Sequence, residues 1–285
     1  MEQEAERMQE SLQDVALRIA QALERLAPPV PASADPLTHP AYVWRDGALV
    51  AARAFAPLPI DRLVGIDAQK AALLDNGRRL AEGHAAHDAL LWGARGSGKS
   101  AVVKASIGAL QAEGCDLALV EVAGDRIATL PALFDRLAPV ARAFILFVDD
   151  LGFDGGAGGD AGALRVLRSL LEGGAEARPG NVRLYVTANR RHIVPRDMAE
   201  QDGAINARDV VDDRLALADR FGLSLGFHVA DQDLYLAMVA GYAAQYGLAF
   251  DRMDAIGWAT TRGGRSGRVA WQYVVELAGR AGRRV

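Results

Sequence analysis

The chain has a single cysteine, Cys115, among its 285 residues. One thiol excludes an intrachain disulfide framework and any cysteine-rich zinc site. An excess of positive charge is also missing: 32 basic against 36 acidic side chains leave a net charge of −4. That argues against coating nucleic acid by bulk charge, while leaving room for a local basic patch. No apolar run approaches the length of a membrane span, and the acidic start "MEQEAERMQE" has no apolar core of a secretory signal. A membrane is therefore not expected as a partner, and the expected location is cytoplasmic. The histidines are scattered. His84 and His87 fall close enough to share a helix face, but no thiol or carboxylate cluster accompanies them, so they read as surface or packing residues. There is no internal repeat. What is abundant is apolar side chain, 51% of the residues, enough for one large domain or two smaller ones.

Residues 1–27 read as an amphipathic helix. Met8, Leu12, Val15, Ile19, Leu23 and Leu26 recur at spacings of three and four. Two docking places are open to that stripe, the chain's own domain or a partner helix. Residues 28–60 form a proline-rich linker: "APPVPASADPLTHP" holds five of the eleven prolines and is not expected to be regular. Within this stretch "YVWRDGALV" places Asp46-Gly47 between apolar runs, a signal for a short hairpin.

From residue 61 strands and helices alternate. Strands are expected at Ala89–Trp92, Leu117–Val122, Phe144–Val148, Val182–Thr187 and Leu223–His228. Such alternation predicts a parallel sheet covered on both faces. After about residue 230 only helices are expected, with Asp231 and Ser266 as N-caps and Gly247 as a C-cap. The fold class is therefore α/β: a three-layer αβα core of the P-loop NTPase type over 61–229, with a five-stranded parallel sheet, followed by a small helical lid over 230–285.

The first expected strand runs into "GARGSGKS", which fits G-x-x-x-x-G-K-[ST] from Gly93 to Ser100. A polyphosphate needs several backbone N–H groups aimed at one spot, and side chains at those positions would block the approach. Gly93, Ala94, Arg95, Gly96, Ser97 and Gly98 supply that loop. The helix beginning at Lys99, Ser100 and Ala101 adds its N-terminal dipole to the same anion site. Lys99 reaches the β- and γ-phosphates, and Ser100 offers a hydroxyl to Mg²⁺. "FILFVDDLG" then ends an apolar strand in two carboxylates. In open parallel sheets ligands bind at such strand ends. Asp149 is placed to hold Mg²⁺, and Asp150 to polarise the water that attacks the γ-phosphate. Asn189, at the end of "VRLYVTAN", is placed to hydrogen-bond both the γ-phosphate and that water. Arg220 precedes the last core strand. Arg268 opens the last helix, with Arg265 close by. A planar guanidinium suits phosphate, and an arginine lent by a neighbouring subunit links hydrolysis to assembly.

The order of phosphate loop, acid pair, asparagine, arginine and helical domain with a further arginine resembles the AAA+ ATPase superfamily over about residues 61–285. In that resemblance Gly93–Ser100 is the Walker A loop, Asp149 and Asp150 are the Walker B pair, Asn189 is sensor 1, Arg220 the arginine finger and Arg268 sensor 2. "LVGIDAQK" matches the segment that lines the adenine, with Val64, Gly65 and Ile66 as contacts. More closely, "GIDAQKAALLDN", "LLWGARGSGKS", "DDLGFD", "ANRRH" and "DRFG" resemble an uncharacterised bacterial family of predicted AAA+ ATPases. The resemblance implies ATP and ADP as ligands, Mg²⁺ as cofactor, a homo-oligomer (a ring such as a hexamer, or another ATP-dependent assembly) and a protein client that it does not identify. Two departures bear on the reaction. The Walker B pair is Asp-Asp where most of the superfamily has Asp-Glu, which suggests slow turnover. "VEVAGDRIATLP" lacks the aromatic of an unfoldase pore loop. A helicase-loader-like ATPase acting on DNA, and a nucleotide-gated scaffold with weak hydrolysis, stand as alternatives. A small-molecule P-loop kinase would have no need of Asn189 or of a helical lid. The glycine-rich stretch 152–162 suits a mobile client-contacting loop. The last 24 residues, with six arginines and one acid, suit nucleic acid or an acidic neighbour.

Overall fold

The computed structural model describes residues 2–26, 32–151, 160–173, 178–189 and 219–285. Helix α1 (Glu2–Leu26) precedes a hairpin of β1 (Ala41–Arg45) and β2 (Ala48–Ala51). Then follow α2 (Asp67–Ala81), β3 (Ala89–Gly93), α3 (Lys99–Ala112), β4 (Leu117–Val122), α4 (Leu130–Leu137), β5 (Ala143–Val148), α5 (Asp160–Glu172), β6 (Val182–Asn189) and β7 (Leu223–Phe227). Three helices close the chain: α6 (Gln232–Gln245), α7 (Arg252–Thr261) and α8 (Gly267–Arg280).

The five expected strands β3 to β7 form parallel pairs in one sheet. The count needs correction: among the described residues the sheet has seven strands, in the order β2-β1-β4-β5-β6-β3-β7. The two extra strands are the hairpin read at Asp46-Gly47. Both turn residues have positive φ, 52° and 74°, the left-handed pair that lets a two-residue loop match the strand twist. Within the hairpin β1 runs antiparallel to β2, and along its other edge it runs parallel to β4. The proline-rich stretch before the hairpin has no regular structure over 32–40, yet it is tied down. Ala34 N donates to Leu49 O at 2.7 Å, and Arg142 Nη1 donates to Pro36 O at 2.9 Å and His39 O at 2.8 Å.

The strands are buried on both faces. Leu90, Leu146 and Leu184 pack on one side against Leu133 and Phe134 of α4 and Leu167 of α5. Their sequence neighbours Leu91, Ile145 and Tyr185 pack on the other side against Leu73 of α2 and Val103 and Ile107 of α3. That two-sided burial is why these strands read as near-continuous apolar runs. The lid has its own core of Tyr235, Val239, Ala255, Tyr273 and Val274. Its helices begin on the expected caps: Asp231 accepts from Leu234 N at 2.8 Å and Ser266 from Val269 N at 3.3 Å. Asp251 caps α7 in the same way. Gly247, at φ 58°, follows the C-cap Tyr246 of α6.

Candidate functional site

The loop between β3 and α3 has the conformation only glycine tolerates well. Gly93, Gly96 and Gly98 have φ of 138°, 74° and 95°. A Cβ on Gly93 would lie 2.0 Å from Phe227 O of β7. A Cβ on Gly96 would lie 2.9 Å from Ser266 Oγ and 3.6 Å from Arg268 Cβ. The missing side chains therefore do two things. They curl the loop, and they let the first turn of α8 close against it. Two helix N-termini, those of α3 and α8, flank one cleft, and each favours an anion there.

Lys99 is 7% exposed, and its ammonium donates to Gly93 O at 3.0 Å, Ala94 O at 2.8 Å and Asn189 Oδ1 at 3.3 Å. Burial pushes its pKa below the ordinary lysine value, and the charges of Asp150 and Asp149 pull it back up. Across the cleft Ser100 Oγ and Thr187 Oγ1 both donate to Asp149 Oδ1 at 2.6 Å. Thr187 Oγ1 also accepts from Asp150 N at 2.8 Å. Asp150 has φ of 53°, a strained value for a residue with a side chain. Its carboxylate accepts from Asn189 Nδ2 and faces Arg95 Nη2 at 3.6 Å. Lys99, Asn189, Asp150, Thr187, Asp149 and Ser100 thus form one chain of polar contacts across the ends of β3, β6 and β5 and the start of α3.

The cleft has a volume of about 680 Å³ and is lined by Arg95, Gly96, Gly98, Lys99, Ser100, Ala101, Asp149, Asp150, Asn189 and Arg268 among the expected residues. Gly93, Ala94 and Ser97 belong to the loop without lining the cleft; Ser97 Oγ donates to Ala94 O at 2.7 Å. Val64, Gly65 and Ile66 border the cleft without lining it. Val64 packs on the lid core, a Cβ on Gly65 would lie 2.3 Å from Leu234 Cδ1, and Ile66, in one apolar cluster with Leu63, has its Cδ1 3.7 Å from where a Cβ on Gly98 would lie. Leu58 and Leu63 supply apolar lining beside them. Arg220 is outside the cleft lining and is ion-paired with Glu172 at the end of α5. Arg265 contacts Gln232 Oε1 at 3.3 Å. The glycine-rich stretch as far as residue 159 lies outside the described residues.

Six cleft residues escaped the sequence reading: Leu58, Leu63, Gly267, Thr187, Trp271 and Tyr242. Thr187 is 1% exposed and lies two residues before Asn189, so strand alternation puts both on one face; that spacing was the available signal. Trp271 is one helical turn after Arg268 and shares its face by the same kind of rule. Tyr242, which meets Trp271 edge-on at 5.7 Å, comes from α6, and nothing local marks it.

The donor set fits a hydrated divalent cation with a nucleotide better than a metal held by protein alone. Among the described residues no cluster of three or more His, Cys, Asp or Glu could cage a metal. One hydroxyl and one carboxylate, hydrogen-bonded to each other beside a glycine cradle, are the minimal protein share of a Mg²⁺–phosphate site. No helix among the described residues is long and apolar enough to cross a membrane.

The family model described as a protein of unknown function, DUF815, matches residues 37–281. No curated protein matches the chain. Among solved structures the ORC2 protein of Aeropyrum pernix in its ADPNP–ADP complexes is similar at a TM-score of 0.55 and 15% identity, over 81% of this chain and 67% of that one. The Aeropyrum pernix ORC1 protein in complex with DNA is similar at 0.52 and 16% identity, over 79% and 65%. A RuvB variant from Thermotoga maritima is similar at 0.50 and 16% identity, over 80% and 67%. The chain spans about two thirds of the length of these structures. At such identities the likeness is one of fold.

Proposed function

The chain belongs to the DUF815 family of proteins of unknown function, and on that premise we propose that it binds and hydrolyses ATP and couples its nucleotide state to the remodelling or assembly of a protein client. The observation that carries this reading is the continuous polar chain from Lys99 through Asn189 and Asp150 to Thr187, Asp149 and Ser100. It sets one cation, one amide and two carboxylates around a single glycine cradle, which is what in-line phosphoryl transfer to water requires.

On this reading the loop N–H groups and Lys99 bind the β- and γ-phosphates. Ser100 and Asp149 hold Mg²⁺, which when bound neutralises phosphate charge. Asp150 orients the attacking water and takes its proton while the water oxygen bonds to the γ-phosphorus and the bond to the β–γ bridging oxygen breaks. Asn189, already in contact with both Lys99 and Asp150, keeps the water between phosphate and base. Arg268 reaches the cleft from the lid, so nucleotide binding draws lid and core together. Arg220 serves the neighbouring subunit's cleft in a homo-oligomer. Its place beside Glu172, off its own chain's cleft lining, supports that role. Leu58 and Leu63 add apolar wall to the base beside Val64, Gly65 and Ile66. The division into an N-terminal helix, a tethered segment, a core and a lid goes with this reading.

The decisive experiment measures ATP turnover against protein concentration, with and without DNA. Turnover per chain rises with concentration if Arg220 acts between subunits. Arg220→Ala then binds ATP but hydrolyses it poorly, and mixing it with Asp150→Asn restores part of the activity. Turnover independent of concentration, or no rescue despite co-assembly, removes the shared site. Stimulation by DNA would favour the helicase-loader-like alternative, and tight binding without turnover the scaffold.

A further inference from the structure

Helix α1 has no packing partner among the described residues. Every described side chain from Leu12 to Arg25 is exposed except the half-buried Ala22. Leu12, Val15, Ile19 and Leu23 are between 47% and 65% exposed. A lone 25-residue helix gains little from propensity alone and depends on burying its apolar face.

Two features of the helix say what covers that face. The first is its period. Ala5, Met8, Leu12, Val15, Ile19, Ala22 and Leu26 follow one another at alternating steps of three and four, a mean of 3.5, which is the period of a coiled-coil a/d seam, here widened at e by Ala16 and Leu23. The second is its charge. The g positions beside that seam are Glu4, Ser11, Arg18 and Arg25. Against a second copy running antiparallel, the register that overlaps the helices almost end to end faces Leu12 with Val15, Met8 with Ile19 and Ala5 with Ala22. That same register sets Glu4 opposite Arg25 and Ser11 opposite Arg18. Sliding by one heptad in one direction sets Arg18 against Arg18; in the other it pairs Glu4 with Arg18 but gives up a heptad of overlap. A parallel pair faces Glu4 with Gln9 and Arg18 with Leu23, gains no ion pair, and stacks the acidic first halves (Glu2, Glu4, Glu6 and Glu10 against the single Arg7). Charge therefore favours the antiparallel over the parallel pair, and overlap selects the register.

We propose that two copies of this chain associate through an antiparallel coiled coil of α1 helices. The interface is separate from the nucleotide cleft and owes nothing to ATP, so it pairs ATPase cores before any nucleotide-driven assembly and raises their local concentration.

The test is sedimentation of the full chain without nucleotide, at tens of micromolar. A dimer is expected, unaffected by Lys99→Ala or Arg220→Ala. Ile19→Asp should raise the dissociation constant about a hundredfold, because it places a charge in two seam layers of the pair. Arg25→Glu should raise it about fivefold, and adding Glu4→Arg should restore it, since two symmetry-related pairs of a few tenths of a kcal/mol each are exchanged. Orientation is read by disulfide trapping in a Cys115→Ser background. A mixture of Leu12→Cys and Val15→Cys chains should cross-link between the two kinds of chain, whereas a parallel pair links like with like. A monomeric wild type, dimers indifferent to Ile19→Asp, or only like-with-like cross-links would overturn the proposal. Loss of association in Lys99→Ala would assign the contact to the nucleotide-dependent interface. Failure of ATP hydrolysis would leave these outcomes untouched.

Discussion

The two ends of the same strands carry polar groups of opposite character. At the C-terminal ends, Asp149 and Asp150 are exposed and Asn189 is half-buried, Asp150 is held at a strained φ, and the contacts run among side chains facing a cleft. At the N-terminal ends the polar groups are sealed. Asn76, 4% exposed, donates to His87 O and Tyr185 OH at 2.8 Å and accepts from His87 N at 2.9 Å. Asp88, 3% exposed, accepts from Leu184 N at 2.8 Å and pairs with Arg178 Nη2 at 2.8 Å. Arg183 Nε donates to Ala86 O at 2.6 Å. This end binds β3 to β6 with backbone partners that a ligand cannot reach. Polar side chains joined to backbone and buried stabilise; polar side chains joined to one another beside a cleft are available to exchange partners when a ligand arrives.

The largest stability effect that would test this contrast is at the sealed end. Asp88→Ala should lower stability by about 2 kcal/mol, because it strands a buried backbone N–H and leaves the half-buried Arg178 guanidinium without its carboxylate, while leaving ATP affinity of the folded protein unchanged; urea unfolding beside nucleotide titration measures both. At the open end Asp150→Asn should do the reverse. Turnover falls about a hundredfold, the scale of a general base, ATP still binds, and the urea midpoint stays put. Equal stability losses at both ends would erase the distinction.

Thr187→Val lies between the two cases, since its hydroxyl is buried but serves the cleft. It should cost about 1 kcal/mol of stability and slow turnover about tenfold by releasing Asp149 and the backbone of Asp150 together. The pH dependence sharpens the sealed end further. Burial, outweighing Arg178, raises the Asp88 pKa above the carboxylate value of 3.8. A raised folded pKa gives stability that is present at low pH and lost as pH climbs through the folded value. Wild type should therefore lose stability relative to Asp88→Asn as pH rises from about 4, and a parallel pair of curves would contradict this. The smallest effect is Arg95→Ala. Its pair with Asp150 is between side chains 78% and 58% exposed, so stability should move by less than about 0.5 kcal/mol.

The open end was far more legible than the sealed one. A glycine loop with Lys99 and Ser100, carboxylates ending an apolar run and an amide ending the next are local patterns, and each falls at a strand end because the chain must leave the sheet there. The sealed end offered no such pattern. Asp88 and Asn76 are ordinary loop and helix residues until β6 arrives from about a hundred positions away. The same applies to the hairpin: Asp46-Gly47 announced its turn, but nothing in 41–51 announced that β1 would lie parallel to β4.

The sequence by itself determined the helices and strands, their caps, the phosphate loop and the acid pair, because period, capping and φ preference act over a few residues. Tertiary structure alone decided that the hairpin joins the sheet with β1 between β2 and β4, the bridge of Thr187 between Asp149 and Asp150, the closing of Ser266 and Arg268 on Gly96, and the place of Leu58 and Leu63 in the cleft wall. Each of these is a contact between segments far apart in the chain, fixed by which surfaces remain to be buried once the local elements have formed.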